Sequence, residues 1–397
     1  AFLAWFICLS LFLFRKTFRV SHTIVGVGLL LAPLMLMRAE FDQLFRIRGT
    51  PPLSGIYVYN AYRVSDDEIR FFYMKSVEDN QPLQYWEGER WNSVETICVC
   101  PLSTLLSQCT VEAHLAVIHS IDTSTLTLRV PSGSVEREFD LVDVRPLSST
   151  DNYLYPHKFG VCIQPVYYHA DWTVFIQFFE FWIASGATKF FIYVHSVTRQ
   201  VRSVFEYYSK LLGNQVEIIS WSDLPVAAKD RGDFSRDPNT RVFRAGPYAA
   251  INDCLLRSRW QVKYLAMMDV DEVLIPKPGA SLVKRIEEIG EWNPFADTFS
   301  LEWRYGMIEV EQMKRRVRTP RNMAFGDIAD AKIISPDNVQ FDYGRLRKVI
   351  VRPERVRIVD IHNTIQHETF PHLTDWMPMR YETLLVNETD LKVLHLR

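Results

Sequence analysis

Charge of one sign is what this sequence most plainly lacks: 45 Lys and Arg face 47 Asp and Glu over 397 residues, a net charge of −2. Without a basic field there is no counterion release to drive phosphate-backbone binding, so nucleic acid is excluded as the main partner. Glycine is scarce, at 16 residues, which excludes a collagen repeat. Six cysteines in so long a chain exclude a disulfide-stapled miniprotein. None has zinc spacing: Cys98 and Cys100 are too close for a knuckle, and no His pair accompanies them. Cys8 lies in an apolar run, which leaves five, an odd number whose pairing the sequence does not reveal. What the chain has instead is apolar surface. Hydrophobic residues make up 48% and aromatics 13%, which excludes wholesale disorder and, at this length, suggests two domains with buried cores.

That apolar content is unevenly spread, and residues 1–37 read as a membrane-anchor region. Ala1 to Phe14 carries no charge, and Thr23 to Met37 is a second uncharged run. A spanning helix needs about 20 apolar residues, and residues 20–37 come nearest to that length. Arg15, Lys16 and Arg19 precede this main span, while Arg38, Glu40 and Asp42 after it nearly balance. The positive-inside bias then places residues 38–397 on the lumenal or extracellular side. Asn387-Glu388-Thr389 is the one Asn-x-Ser/Thr acceptor, a weak pointer to the same secretory route.

Residues 38–54, with Gly49, Pro51 and Pro52, read as a stem. Over 55–150, short β-branched and aromatic runs (IYVYNAY, IRFFYMKSV, ETICVC, LAVIHSI, TLTLRV, REFDLVDV) alternate with turn residues, which predicts a small all-β domain, a sandwich or barrel. From 151 to 397 the rhythm changes to α/β. FGVCIQPV, KFFIYVH, VEIISW and YLAMM are apolar strands separated by helix-length segments. Asp171 or Thr173 caps the first helix and Gly186 ends it; Pro247 sits in the first turn of another. The spacing predicts a Rossmann-type, mostly parallel sheet with helices on both faces, whose ligands bind beyond the carboxyl ends of the strands.

At that edge stands Asp269-Val270-Asp271, directly after the fourth strand. On an extended chain the two carboxylates point the same way, a hard oxygen site suited to Mn²⁺ or Mg²⁺ carrying a phosphate ligand. The motif alone is weak, since 24 Asp make one Asp-x-Asp expected by chance. Its place at the sheet edge supplies the information. A solvated loop or a capping Asp is the plain alternative.

The segments CIQPVYYHADW, FFEFWIASGATKFFIYVHS, VEIISWSDLP, AAINDCLLRSRWQVKYLAMMDVDEVLIP and LEWRYG, then RKVIVRPERVRIVDIHN and the terminal VLHLR, together resemble glycosyltransferase family 92 in order and register. The resemblance implies a GT-A fold, a single-pass type II Golgi membrane protein with a lumenal catalytic domain, and transfer of galactose from UDP-galactose to a glycan or glycoconjugate. By position it implies Asp269 and Asp271 as the DxD pair between Mn²⁺ and the diphosphate. His395 stands where a third metal ligand falls, with His362 as competitor; Leu396 departs from the tyrosine more usual after that histidine. Arg244 to Tyr248 also departs from the family's wording. Tyr167 and Tyr168 fall where uridine is received, or are strand-end packing. Asp253 is a supporting acceptor or a helix-surface carboxylate.

An inverting transfer needs a carboxylate base. Glu302 is the first choice, beside Trp303 and Tyr305 as an acceptor platform or core, with Asp327 and Asp330 next. The basic run Lys314 to Arg318 is a solvated face or a rim that gathers the nucleotide sugar. The expected function is a metal-dependent hexosyltransferase. A non-catalytic glycan-binding or scaffold protein is the alternative, and a two-metal phosphohydrolase fits less well for want of further His and Asp ligands.

Overall fold

The computed structural model describes residues 55–77, 79–99, 111–119, 124–131, 136–146, 153–221, 223–233, 236–240, 242, 245–308, 333–334, 347–369 and 381–396. The expected anchor and stem, Arg244, Lys314 to Arg318, Asp327 and Asp330 lie outside them. Among the described residues no helix is long and apolar enough to cross a membrane.

The first sheet holds β1 (Tyr57–Arg63), β2 (Glu68–Ser76), β3 (Gln84–Glu87), β4 (Arg90–Ser93), β5 (Glu95–Cys98), β6 (Val111–His119), β7 (Thr125–Arg129) and β8 (Glu136–Asp143). Its order is β4-β3-β7-β8-β1-β2-β6-β5. Six of these strands follow the apolar runs. The β3–β4 hairpin does not, because its residues are mostly polar and its turn is Gly88-Glu89, without an Asn-Gly or Asp-Gly signature. Both turn residues have positive φ, 57° and 69°, as a two-residue turn matched to strand twist requires.

The second sheet holds β9 (His157–Val166), β10 (Lys189–Val194), β11 (Val216–Ser220), β12 (Val262–Met268), β13 (Glu272–Pro276), β14 (Ala296–Ile308), β15 (Ile333–Ile334), β16 (Arg347–Val351), β19 (Glu382–Leu385) and β20 (Leu391–Leu396). β17 (Val356–Val359) and β18 (Thr364–His367) form a separate ribbon. The helices are α1 (Trp172–Ala184), α2 (Arg199–Leu212), α3 (Ala245–Arg257) and α4 (Leu282–Trp292). Asp171 caps α1 by accepting from the Thr173 N–H, and Gly186 ends the turn at φ 94°.

The α/β expectation holds, and helices flank both faces. Phe175, Phe179 and Trp182 of α1, Val201 and Phe205 of α2 and Ile286 of α4 share one core with Phe159, Val161 and Ile192. On the other face, Ala249, Ile251 and Leu255 of α3 pack with Phe191, Tyr193 and Leu265. The mostly parallel sheet needs correction. Order β11-β10-β9-β12 is parallel, but β16 then pairs antiparallel with both β12 and β14, and β13 pairs antiparallel with β20. The reason is connection length. Parallel neighbours need a crossover of a dozen residues or more, whereas only three residues separate β12 from β13. The chain therefore leaves for the far edge instead of pairing alongside.

The two sheets are welded through α3. Tyr62, Phe72, Met74 and Leu115 of the first sheet belong to the α3 core. Asp253 of α3 is buried there and accepts from Tyr62 Oη at 2.6 Å, Tyr193 Oη at 2.5 Å and Asn60 Nδ2 at 3.0 Å. Cys254 is disulfide-bonded to Cys162 of β9. A buried ion network makes a second weld. Glu368 takes Arg70 of β2, Arg259 at 3.0 Å and Arg357 at 3.7 Å, while Glu68 takes Arg70 at 2.8 Å and Arg357 at 3.2 Å. Burial alone would raise the Glu368 carboxyl; Arg259, Arg70 and Arg357 outweigh it and hold it at about 2.

Glu368→Gln removes the anion and leaves three guanidiniums facing one another. Urea or thermal unfolding should show a loss of about 3–5 kcal/mol. The pH dependence has a definite sign. A depressed carboxyl stabilises fully above its unfolded value of 4.5, and that contribution is lost as pH falls from 4.5 toward 2. Between pH 7 and 3 the wild type should therefore lose more stability than Glu368→Gln; equal losses would contradict the assignment.

Candidate active site

The carboxyl end of β12 turns through Asp269, Val270 and Asp271 into β13, and β20 returns antiparallel beside β13 so that His395 lies opposite Glu272. β20 also pairs with β14, which sets Tyr305 beside His395. This topology gathers residues distant in sequence around one turn. Asp271 Oδ2 lies 3.2 Å from His395 Nε2, and 39% of the Asp271 side chain is exposed. The Leu396 N–H donates to the Asp271 carbonyl at 2.7 Å and holds the turn against the end of β20.

Glu272 is the buried member, with a side chain 1% exposed. Its Oε2 accepts from the Asp269 N–H at 2.8 Å and lies 3.0 Å from Lys348 Nζ. Its Oε1 accepts from Trp303 Nε1 at 3.0 Å and lies 3.5 Å from His395 Nδ1, a charge contact longer than a hydrogen bond. Lys348 also donates to Asp269 Oδ2 at 2.8 Å, and Gln164 of β9 donates to Asp269 Oδ1.

The charges set one another. Burial works against ionisation of Glu272, but His395 and Lys348 outweigh it and lower its carboxyl. Burial likewise opposes the charge on Lys348, which Glu272 and Asp269 nonetheless raise. Burial would raise Asp271 too; hydrogen bonding to His395 lowers it. Asp271 first, then Glu272, lifts His395 to about 9.

The 3.2 Å separation of Asp271 Oδ2 and His395 Nε2 is that of an oxygen and a nitrogen ligand of one divalent ion, which would displace the proton that the imidazole holds toward Asp271. Asp269 does not close on that pair, because Gln164 and Lys348 hold its two oxygens. Among the described residues, the trio of His, Cys, Asp or Glu ligand atoms lying within 4.8 Å of one another is Cys98, Glu112 and His114, and Cys98 is disulfide-bonded.

The other expected residues are placed as follows. Tyr168 projects at the strand ends, 60% exposed and at φ 48°, its N–H donating to Ser196 Oγ at 2.8 Å. Tyr167 packs on His195 at 4.7 Å between ring centres, and Gly246 lies so close to the Tyr167 hydroxyl that a Cβ there would meet it at 2.6 Å. His195 in turn contacts Asp223 at 2.6 Å. Asp253 is neither at this edge nor on the helix surface, but in the buried weld described above. Trp303 is built into the cluster through its indole N–H. Glu302 alternates to the opposite face of β14 and lies 3.9 Å from Arg304. His362 bonds the Arg347 carbonyl through Nδ1 at 2.9 Å, apart from the carboxylates.

Three members escaped the sequence reading: Gln164, Glu272 and Lys348. Gln164 carried a signal, as a lone polar residue in the apolar strand run FGVCIQPV, where a buried polar group must find a partner; Lys348, beside Arg347 at the head of RKVIV, and Glu272, beside the Asp-x-Asp, read as ordinary surface charges.

Comparison with known proteins agrees with this geography. The family model for glycosyltransferase family 92 matches residues 157–397. Two glycosyltransferase family 92 proteins of Caenorhabditis elegans are similar: one is 24% identical over 56% of this chain and 40% of its own length, the other 21% identical over 57% and 45%. The chain thus spans less than half the length of these relatives. A UDP-glucose pyrophosphorylase complexed with UDP-glucose aligns over 50% of this chain and 76% of its own, at 11% identity and a TM-score of 0.22, too low to carry an argument. The family match begins with the first residue of β9 and encloses every member of the carboxylate cluster; the chain belongs to glycosyltransferase family 92.

Proposed function

We propose that this chain is a metal-dependent glycosyltransferase of GT-A type that moves a hexose, galactose from UDP-galactose, onto a glycan acceptor with inversion. The observation that carries the reading is the Asp271–His395 pair, 3.2 Å apart beside Asp269 at the carboxyl end of β12. The donor and the fold type rest on the family resemblance.

The residues present fit a divalent ion: a half-exposed carboxylate and an imidazole nitrogen face each other, and a second carboxylate stands two residues away. Asp271 and His395 would hold Mn²⁺ or Mg²⁺, with Asp269 toward the diphosphate. The ion supplies Lewis acidity, which neutralises charge on the departing UDP. Tyr168 would offer a ring face to the uracil at the adjoining strand ends, with Tyr167 packed behind it on His195. The acceptor hydroxyl oxygen bonds to the sugar C1 from the side opposite UDP. The C1–oxygen bond to the β-phosphate breaks, and its electron pair leaves with UDP. The hydroxyl proton passes to a carboxylate base. Glu302, the first choice, faces away from the cluster, and Asp327 and Asp330, the next choices for this base, lie outside the described residues.

A lumenal, Golgi setting is part of the proposal, with the apolar N-terminal run as type II anchor. The Cys162–Cys254 disulfide and the exposed Asn387 of its Asn-Glu-Thr triplet support an oxidising, secretory compartment.

With Mn²⁺ and UDP-galactose, the protein should release UDP in the presence of a suitable glycan, and chelation should abolish release. Asp271→Ala should lower turnover by more than about 100-fold, given that it removes a ligand and second-sphere losses alone reach that size. A wild type that binds glycans yet turns over no UDP-sugar would instead make this a glycan-binding module.

A further inference from the structure

We propose that Glu272 is a positioning residue of this centre: it orients His395 toward the metal, anchors the backbone of Asp269, and stays off the ion itself. The inference rests on the metal reading of Asp271 and His395 given above. An ionised carboxylate has about four lone-pair sites. Four groups face those of Glu272: the Asp269 N–H, Lys348 Nζ, Trp303 Nε1 and His395 Nδ1. They come from the end of β12, from β16, from β14 and from β20. Three of the four stand at hydrogen-bond distance, His395 Nδ1 lies 3.5 Å away, and a side chain only 1% exposed closes Glu272 to a metal.

The arrangement of His395 is what separates positioning from mere burial. A carboxylate kept only as the partner of a buried lysine needs Lys348 and nothing more. Here the same carboxylate faces Nδ1 of the imidazole, so the other nitrogen, Nε2, is turned to Asp271. A carboxylate behind a metal-binding histidine fixes the ring orientation and tautomer and raises the ligand's basicity. Lys348 contributes by sharing its charge between Glu272 and Asp269, so neither carboxylate is left uncompensated. Trp303 completes the clamp, with its ring centre 5.0 Å from that of His395.

The test is Mn²⁺ affinity, read from the free-ion electron paramagnetic resonance signal, with thermal unfolding measured beside it. Glu272→Gln keeps the side chain's shape and an acceptor for the Trp303 indole while deleting the charge. Its affinity should fall by about 10–100-fold relative to wild type. A merely structural Glu272 would lower the unfolding midpoint and leave the affinity of the folded protein unchanged, which would overturn the proposal. Should Glu272→Gln fail to fold, Trp303→Phe, which deletes only one donor to Oε1, carries the test: weaker Mn²⁺ binding supports the proposal and unchanged binding refutes it. Asp271→Ala separates this inference from the one beneath it. If wild type binds Mn²⁺ and Asp271→Ala does not, the metal reading stands and Glu272→Gln decides the inference. If wild type and Asp271→Ala bind alike, the metal reading fails and the inference falls with it.

Discussion

A carboxylate taken almost wholly out of water must be paired, and Glu272 is the group on which this edge of the sheet depends. Several kcal/mol of desolvation have to be offset by charge and hydrogen bonds. Lys348, the Asp269 N–H and the Trp303 indole supply them. Because those donors sit on different strands, satisfying one carboxylate fixes the mutual position of β12, β13, β14 and β16, and through His395 of β20. The order of the antiparallel half of the sheet and the geometry of the Asp271–His395 pair are thus one problem with one solution.

The same logic recurs where the two sheets meet. Asp253 and Glu368 are acidic centres surrounded by donors from both parts of the chain, two tyrosine hydroxyls in one case and three guanidiniums in the other. Apolar contact between α3 and the first sheet supplies area, while these buried charges supply register. A first sheet held this way forms the outer wall behind α3. It also places Tyr59 in a ring stack on Trp221, 3.9 Å between centres, just past the carboxyl end of β11. The β-rich part therefore bears on the strand ends that are read above as the nucleotide side.

How much of this was legible follows from what each signal measures. Strands β9 to β12 and helices α1 to α3 announced themselves because buried parallel strands read as unbroken apolar runs and amphipathic helices as a 3.6-residue period. Past β12 the pattern gave out. β13 follows a three-residue turn, and β16 and β20 return from elsewhere in the chain to pair antiparallel, so no local period announces the mixed sheet. Asp269 and Asp271 were singled out by motif and position, and His395 by the family resemblance alone. Glu272 was hidden by its neighbours, since a carboxylate beside an Asp-x-Asp reads as one more solvated charge until the fold buries it. Asp253 was misplaced for the opposite reason: a helix period locates a residue on a face, but not the tyrosines that a second sheet brings to it.

The central claim is that Asp271 and His395 bind one divalent ion that faces the donor diphosphate. Crystals of the protein soaked with Mn²⁺ and UDP, measured for anomalous scattering from manganese, address it directly. The account predicts a peak between the Asp271 carboxylate and His395 Nε2, in contact with the UDP phosphates. UDP bound at the strand ends with no peak there, or with manganese held only by other residues, would contradict it.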